Sequence, residues 1–447
     1  MSTVTATEAP AHQVPGQQRS LSREQKQAVG LLSIGTLLEY FDLMLYVHMV
    51  VLLNELFFPP TDPYTTSLLS AFAFCSTFVF RPFGALIFGW LGDRIGRKIV
   101  VIITTTMMSG TCIVMAITPT YAEIGIIASV IVTLCRIIQG LTSMGEVIGA
   151  ELYISETINK PYRYCYVSII PTIATTGGML ALGVAALVTQ NSFNWRYAFW
   201  IGSCVALIGT VARSSLRETP DFVDAKRRLK RNFDIIKQDT SKVLSHSLIH
   251  TRLKIKTFLA LFFIGCAWPV WFYLVYIHCG NILKLYYNYS SADIIQQNFK
   301  VSILHTITYF VLSFLSLKIH PMKIIKAKIV IFSIFACILP ILLNSISAPI
   351  HVLLIQLFII TFALTSIPAS AIFYKSFPVF QRFKYCSFAY ALSRAVTHIV
   401  TSFFMVYLIN QFGNWGILII VVPVIICFTW GILHFCKLET EQQGYQY

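Results

Sequence analysis

The chain has 447 residues, 56% of them hydrophobic and only 12% charged, at a mean hydropathy of +0.70. Soluble domains carry about 25% charged residues, so this composition excludes a soluble globular protein and points to a polytopic membrane protein. A formal net charge of +15 raises nucleic acid or anionic lipid as partners, and eleven cysteines raise disulfides or a metal. The cysteines stand singly in apolar stretches with no CxxC pair, which indicates neither a disulfide framework nor a metal site.

Residues 1–27 are polar and rich in Ala, Thr, Gln and Pro, with no short apolar core before a cleavage site. They read as a cytoplasmic tail rather than a signal peptide. Apolar runs of spanning length follow near 28–53, 66–90, 99–118, 124–155, 166–189 and 197–212. After a polar insert they resume near 257–280, 299–317, 327–346, 350–373, 386–410 and 415–435. The expected architecture is an all-α polytopic membrane protein of twelve transmembrane helices in two six-helix bundles, 28–212 and 257–436. A cytoplasmic linker, 213–256, joins them, and a cytoplasmic tail, 437–447, ends the chain.

Orientation follows from the basic residues. With the N-terminus inside, 28 of the 34 Lys and Arg fall in cytoplasmic segments, twelve of them in the linker. The outer loops hold Lys284 and Lys300, with Arg196 at a helix start. Such asymmetry sets both termini in the cytoplasm. The net charge is therefore a matter of topology and implies no nucleic-acid partner.

Four stretches carry a more specific signal. The first run contains Leu38-Glu39-Tyr40-Phe41-Asp42, followed by Phe57-Phe58-Pro59. The second ends in a glycine-rich basic turn, Gly92-Asp93-Arg94-Ile95-Gly96-Arg97-Lys98, preceded by Gly89. Glycines there allow close backbone approach, Asp93 suits a helix N-terminus, and Arg97 and Lys98 favour the cytoplasmic face. The fourth contains Arg136, Gln139, Gly140, Gly145, Glu146 and Gly149, and ends at Glu156. After the sixth comes Leu216-Arg217-Glu218-Thr219-Pro220.

Together these motifs resemble the major facilitator superfamily and, within it, the metabolite–proton symporters that take up proline and betaine, 2-oxoglutarate, shikimate or citrate. The resemblance implies alternating access between two bundles in a bacterial inner membrane, with a small-molecule substrate and protons as partners, and no enzymatic activity or cofactor. A monomer is expected. The turn from Gly89 to Lys98 would be a conformational latch, with Asp93 near the start of helix 11 and Arg97 meeting Glu156 or the surroundings of Arg163. The second-half copy of that turn should fall near 316–323, where the chain reads Ser-Leu-Lys-Ile-His-Pro-Met-Lys, without aspartate or glycine. A uniporter, an antiporter or a transport-impaired membrane sensor on the same fold stays open.

Ionisable residues inside a bilayer are costly and by default functional. Glu39 and Asp42 lie three apart on one helix face, with Tyr46 a turn further. Arg81 sits about 16 Å from the cytoplasmic turn at about 1.5 Å per residue, near mid-membrane. Gln139 and Ser143 extend the face of Arg136. In related sugar–proton symporters an aspartate of helix 1 pairs with an arginine of helix 4, and Asp42 and Arg136 stand at the matching places. The resemblance thus implies proton coupling at Asp42 and Arg136, with Glu39 beside them, or a static ion pair. Glu146, Arg81 and Arg394 are substrate-binding candidates. Arg394 has no carboxylate in its own half between Asp293 and Glu439, so it reaches across to Glu39 or Glu146 or faces the central cavity. Trp268, Phe272 and Tyr276 form an aromatic stripe suited to a quaternary ammonium group, or to plain packing.

Overall fold

The computed structural model describes residues 23–59, 65, 72, 75, 77–95, 97–143, 146–190, 194–214, 254–378 and 382–443. Nearly all of the 213–256 linker, residues 1–22 and residues 444–447 lie outside the described residues. Within them every regular element is a helix. That follows from the apolar runs, because backbone N–H and C=O groups in lipid must be satisfied within the segment or in a closed barrel.

Twelve rods account for the described chain. They are α1 (Arg23–Phe57), α2 (Arg81–Ile95), α3 (Arg97–Ile117), α4 in two pieces (Ile126–Thr142 and Glu146–Thr157), α5 (Tyr162–Gln190) and α6 (Arg196–Ser214). After the linker come α7 (Ile255–Phe272, continued through Tyr273–His278 and Cys279–Tyr287), α8 (Ser291–Leu315) and α9 (Pro321–Asn344). The last are α10 (Pro349–Phe362 and Ser370–Lys375), α11 (Arg382–Ile399, continued to Phe412) and α12 (Gly416–Gln443). Seven described stretches have the length and hydropathy of a membrane crossing, the last of them, Lys384–Glu441, holding both α11 and α12.

Three features depart from the continuous helices expected from hydropathy. First, α4 stops at Thr142, where Ser143 leaves helical geometry with ψ 77°. Second, α10 opens after Phe362 and resumes at Ser370; Pro368 in the gap lacks an N–H and disfavours helix in the residue before it. Third, α7 and α11 each carry a π-helical turn, at Tyr273–His278 and Val400–Phe404. Such turns recur at functional sites.

In a bilayer the polar face of a helix turns inward. The first piece of α4 shows this: Ile126, Ile127, Val130 and Leu134 are exposed, while Ser129, Arg136 and Gln139 are buried. The rods assemble so that α5 packs along α1 and also along α8, α11 lies against α2, and the second pieces of α4 and α10 touch. Farther out, α3 packs on α6 and α9 on α12. The first six helices and the last six therefore meet along α1, α2, α4 and α5 on one side and α7, α8, α10 and α11 on the other.

Backbone contact sets the α2–α4 crossing. A Cβ on Gly140 would stand 2.2 Å from the Thr77 carbonyl oxygen, and one on Gly84 would stand 2.0 Å from that of Leu141. Neither neighbour is a side chain that could swing away. Gly140→Ala should therefore lower the melting temperature of the purified protein by several degrees, at a cost of about 1–3 kcal/mol. Gly110→Ala, in α3 with nothing within 4 Å of the new methyl, should leave it unchanged or slightly raised. Equal effects from the two variants would show that the crossing is not backbone-limited.

Candidate functional site

The centre of the interface is built from α1, α2, α4 and α11. Glu39 and Tyr40 on α1 face Arg81 and Ala85 on α2, Ser143 and Val147 on α4, and Ser387 and Tyr390 on α11, around a cavity of about 20 Å3. That volume holds one or two water molecules. Ser143 donates to Glu39 Oε1 at 3.2 Å. The Tyr40 and Tyr390 hydroxyls are 2.8 Å apart, a hydrogen bond between the two halves.

Three arginines surround this point, and each lies against an aromatic face. Arg136 is fully buried over the Tyr46 ring at 4.0 Å. Arg81, 5% exposed, lies 4.8 Å from the Phe78 ring, and Arg394 lies 5.0 Å from that of Tyr390. Stacking on π faces is a low-desolvation way to hold a guanidinium. The Phe78 ring also stacks with His398 of α11, centroids 3.8 Å apart. Arg81 and Arg394, from opposite halves, both act electrostatically on the Tyr40 hydroxyl. The Arg81 Nε and Nη2 and the Arg394 Nε are buried without a hydrogen-bond acceptor among the described residues.

Beside this centre, Arg136 Nη1 donates to Gln139 Oε1 at 2.8 Å, and Gln139 Nε2 donates to Thr111 Oγ1 at 3.2 Å. In this conformation Arg136 contacts Gln139 and the Tyr46 ring. Asp42 is buried nearby, 3% exposed, beside Leu45, Cys112 and the open side of Gly202. Arg136 and Asp42 share Cys112 as a neighbour.

Both ends of the interface are closed among the described residues. At the end near Glu55, that carboxylate meets Lys284 and accepts from Ser291 at 3.1 Å. Deeper in, His48 lies edge-on to Tyr276 at 5.5 Å and tilted to Phe272 at 6.1 Å. At the opposite, basic end, Tyr374 donates to Glu151 Oε2 and Arg382 Nη1 to Glu156 Oε1, each at 2.6 Å. Ser168 of α5 adds a bond to the Pro368 carbonyl at 3.3 Å.

The structure thus brings Glu39, Arg81 and Arg394 to one place, with Asp42 and Arg136 alongside. Trp268, Phe272 and Tyr276 do form a stripe, with neighbouring rings 6.0 and 4.8 Å apart. It is covered by His48, His305 and Tyr309 and does not line the cavity. Glu156 is bound to Arg382, while Arg163 Nε donates to the Ile158 carbonyl at 2.7 Å. The side chains of Glu146, Asp93, Arg97 and Lys98, the surroundings of Gly89 and Gly92, and all of Gly96 lie outside the described residues.

A model of the Major Facilitator Superfamily matches residues 32–397. The chain belongs to that superfamily. Among solved structures, the xylose transporter of E. coli in a partially occluded inward-open conformation superposes with a TM-score of 0.68 at 18% identity, covering 95% of this chain and 100% of that one. This likeness is one of fold. The proline/betaine transporter of Salmonella typhimurium is 32% identical over 225 residues, 49% of this chain and 45% of that protein. An inner membrane metabolite transport protein of Escherichia coli K12 is 35% identical over 208 residues, 44% and 47% of the two chains. The chain spans about half the length of the curated relatives it matches.

For a facilitator-superfamily protein, several interface residues were hidden in the sequence. Tyr40, Tyr374 and Tyr390 stand in apolar runs among 21 tyrosines, and nothing local marks the three that bridge the halves. Lys328, counted with the basic loop before α9, is instead buried within α9. The cross-half hydroxyl pair is open to test. Tyr40→Phe and Tyr390→Phe should each destabilise the protein by about 1–3 kcal/mol, because each strands the other hydroxyl, and the double variant should recover part of the loss. A double-mutant cycle on reversible unfolding in lipid would read the coupling, and strictly additive effects would remove the bond from the account.

Proposed function

We propose that this protein is a proton-coupled secondary transporter of a small carboxylate-bearing metabolite, working by alternating access, with its basic end toward the cytoplasm. The observation that carries the reading is the cavity between the halves, closed at both ends and walled by one guanidinium, one carboxylate and two tyrosines. Buried donors on Arg81 with no acceptor are what a substrate carboxylate would satisfy. A zwitterion of the proline or betaine kind fits first, its carboxylate on Arg81 and its cationic end toward Glu39 and the tyrosine faces. The name of one relative, a proline/betaine transporter, supports this choice. A dicarboxylate is the second reading, favoured by Arg394 as a second cation over Tyr390. Glu146 joins the substrate-contact candidates on its position in α4. Substrate admission requires the Tyr40–Tyr390 bond to break, which is the rocking motion that alternating access demands.

Proton coupling falls to the first half, since no Asp or Glu occurs between Asp293 and Glu439. Asp42 is the proton carrier in this reading, next to Arg136, a fixed cation that does not surrender its own proton. Protonation of Asp42 would weaken its attraction to Arg136 and so bias the conformational equilibrium. Glu39, at the cavity wall, reports substrate occupancy to the same helix.

Uptake of labelled proline, betaine and 2-oxoglutarate into proteoliposomes, with and without a pH gradient, tests the reading. Accumulation of one of them only with the gradient is expected. Asp42→Asn should abolish uphill uptake yet preserve counterflow exchange, because exchange needs no return of an empty, deprotonated carrier. Arg136→Gln should damage both, leaving Asp42 buried beside no cation at a cost of about 3–5 kcal/mol. Full gradient-driven accumulation by Asp42→Asn would move the proton site elsewhere.

A further inference from the structure

The two halves enter α5 and α11 through matching turns. Arg163, the second residue of α5, sends its Nε to the carbonyl of Ile158, five residues back, at 2.7 Å. Arg382, the first of α11, sends its Nε to that of Phe377, also five back, at 3.2 Å. Glu156 precedes Ile158 by two positions, and Lys375 precedes Phe377 by two. In a fold whose halves are parallel repeats, these are corresponding residues. Glu156 bridges across the interface to Arg382 at 2.6 Å. Its counterpart, facing Arg163, is a lysine.

The flank around Lys375 is therefore short of negative charge. Lys160 and Lys375 line the same small cavity, and Arg163 acts on Lys375 as a like charge. Burial first, then the charges of Arg163, Lys160 and Arg382, push the Lys375 amine down to about 8, with Glu439 opposing. Among the described residues, Glu439 is the carboxylate on this flank. It comes from the end of α12, is 3% exposed, and lines the cavity with the two lysines. Its Oε1 is 3.9 Å from Lys160 Nζ in the first half and 3.6 Å from His320 Nε2 in the second. His320 Nδ1 accepts from the Met322 N–H at 3.4 Å, which leaves Nε2 as the N–H turned toward the carboxylate. Tyr164 backs both, 5.4 Å from Lys160 Nζ and 5.7 Å from the His320 ring. His320 lies in the segment where the second copy of the basic turn has neither aspartate nor glycine.

We propose that the basic end of the interface is held shut by two unlike flanks, the Glu156–Arg382 bridge on one and, on the other, Glu439, which supplies from α12 the charge that the repeat lost at Lys375. The closure is a charge-asymmetric one. One flank is a short arginine–carboxylate bridge; the other holds Lys160 and Lys375, with Arg163 beside them, and among the described residues one buried carboxylate, Glu439, that acts on both lysines. Removing that carboxylate turns the flank from cohesive to repulsive, since uncompensated like charges at an interface oppose contact. Calling the closure a gate rests on alternating access, but the charges that hold it do not depend on the substrate.

Hydrogen–deuterium exchange of the full chain in lipid nanodiscs tests this without any transport readout, so a failed uptake assay and a failed gate remain separate results. The peptides to follow cover 158–166 and 370–378. Glu439→Gln should speed exchange in both by about tenfold or more. Lys375→Glu should slow it below the parent, by giving Arg163 the partner that Arg382 already has. The double variant should return toward the parent. Parent-like exchange in Glu439→Gln, or a double variant as fast as Glu439→Gln alone, would overturn the proposal. Should Glu439→Gln fail to fold, Lys375→Glu decides on its own: slower exchange supports the asymmetric gate, and unchanged or faster exchange overturns it.

Discussion

A guanidinium in a hydrocarbon slab has to be solvated by the protein itself, and the whole centre of this molecule follows from that requirement. Arg81, Arg136 and Arg394 meet it in the same way, each with its guanidinium carbon over an aromatic ring, within 5.0 Å of the centroid. A π face offers a cation some attraction without a countercharge that would itself need burying. It also leaves edge donors unspent. In Arg136 one donor is taken by Gln139, whose amide is held in turn by Thr111. In Arg81 two are buried without an acceptor among the described residues. Aromatic support thus keeps charge in the membrane interior while leaving it available, which a closed ion pair would not.

That same economy of carboxylates explains how unevenly the halves are charged. The first half carries Glu39, Asp42, Glu146, Glu151 and Glu156 in or beside its spans, whereas the second has none between Asp293 and Glu439. The charged cross-interface contacts follow from this. Glu151 and Glu156 accept from Tyr374 and Arg382, so there the first half supplies the carboxylate and the second the donor. At Glu439 the carboxylate comes from the second half.

The spans, and the singular charges inside them, were readable in the sequence because a bilayer tolerates so few alternatives. Twelve apolar runs gave twelve rods, Glu39 and Arg81 line the cavity between the halves, and Arg136 is buried. What stayed hidden depends on which rod meets which. Tyr46 is a good partner for Arg136 only because α4 packs near α1, and that packing leaves no mark on local composition, whereas Tyr390 stands four residues before Arg394 on one helix. The aromatic stripe of α7 was readable as a stripe, yet its partner was not, and His48 with α8 covers it. Helix breaks were half legible: Pro368 announces the opening in α10, while Ser143 gives little sign of the one in α4.

The π turns in α7 and α11 have an implication for how such a chain tolerates change in length. Each amounts to one residue more than an α-helix would use over the same rise, at Tyr273–His278 and Val400–Phe404. Everything beyond the turn is consequently set about a quarter-circle away from the heading its upstream helix would give it. Deleting a single residue inside either turn would relax it into ordinary α-helix and swing the outer segment, Cys279–Tyr287 or Met405–Phe412, onto a different neighbour. For most transmembrane helices a one-residue deletion is a defect; at these two places it would be a rotation, and the protein keeps two built-in positions where a spliced residue steers a helix instead of breaking it.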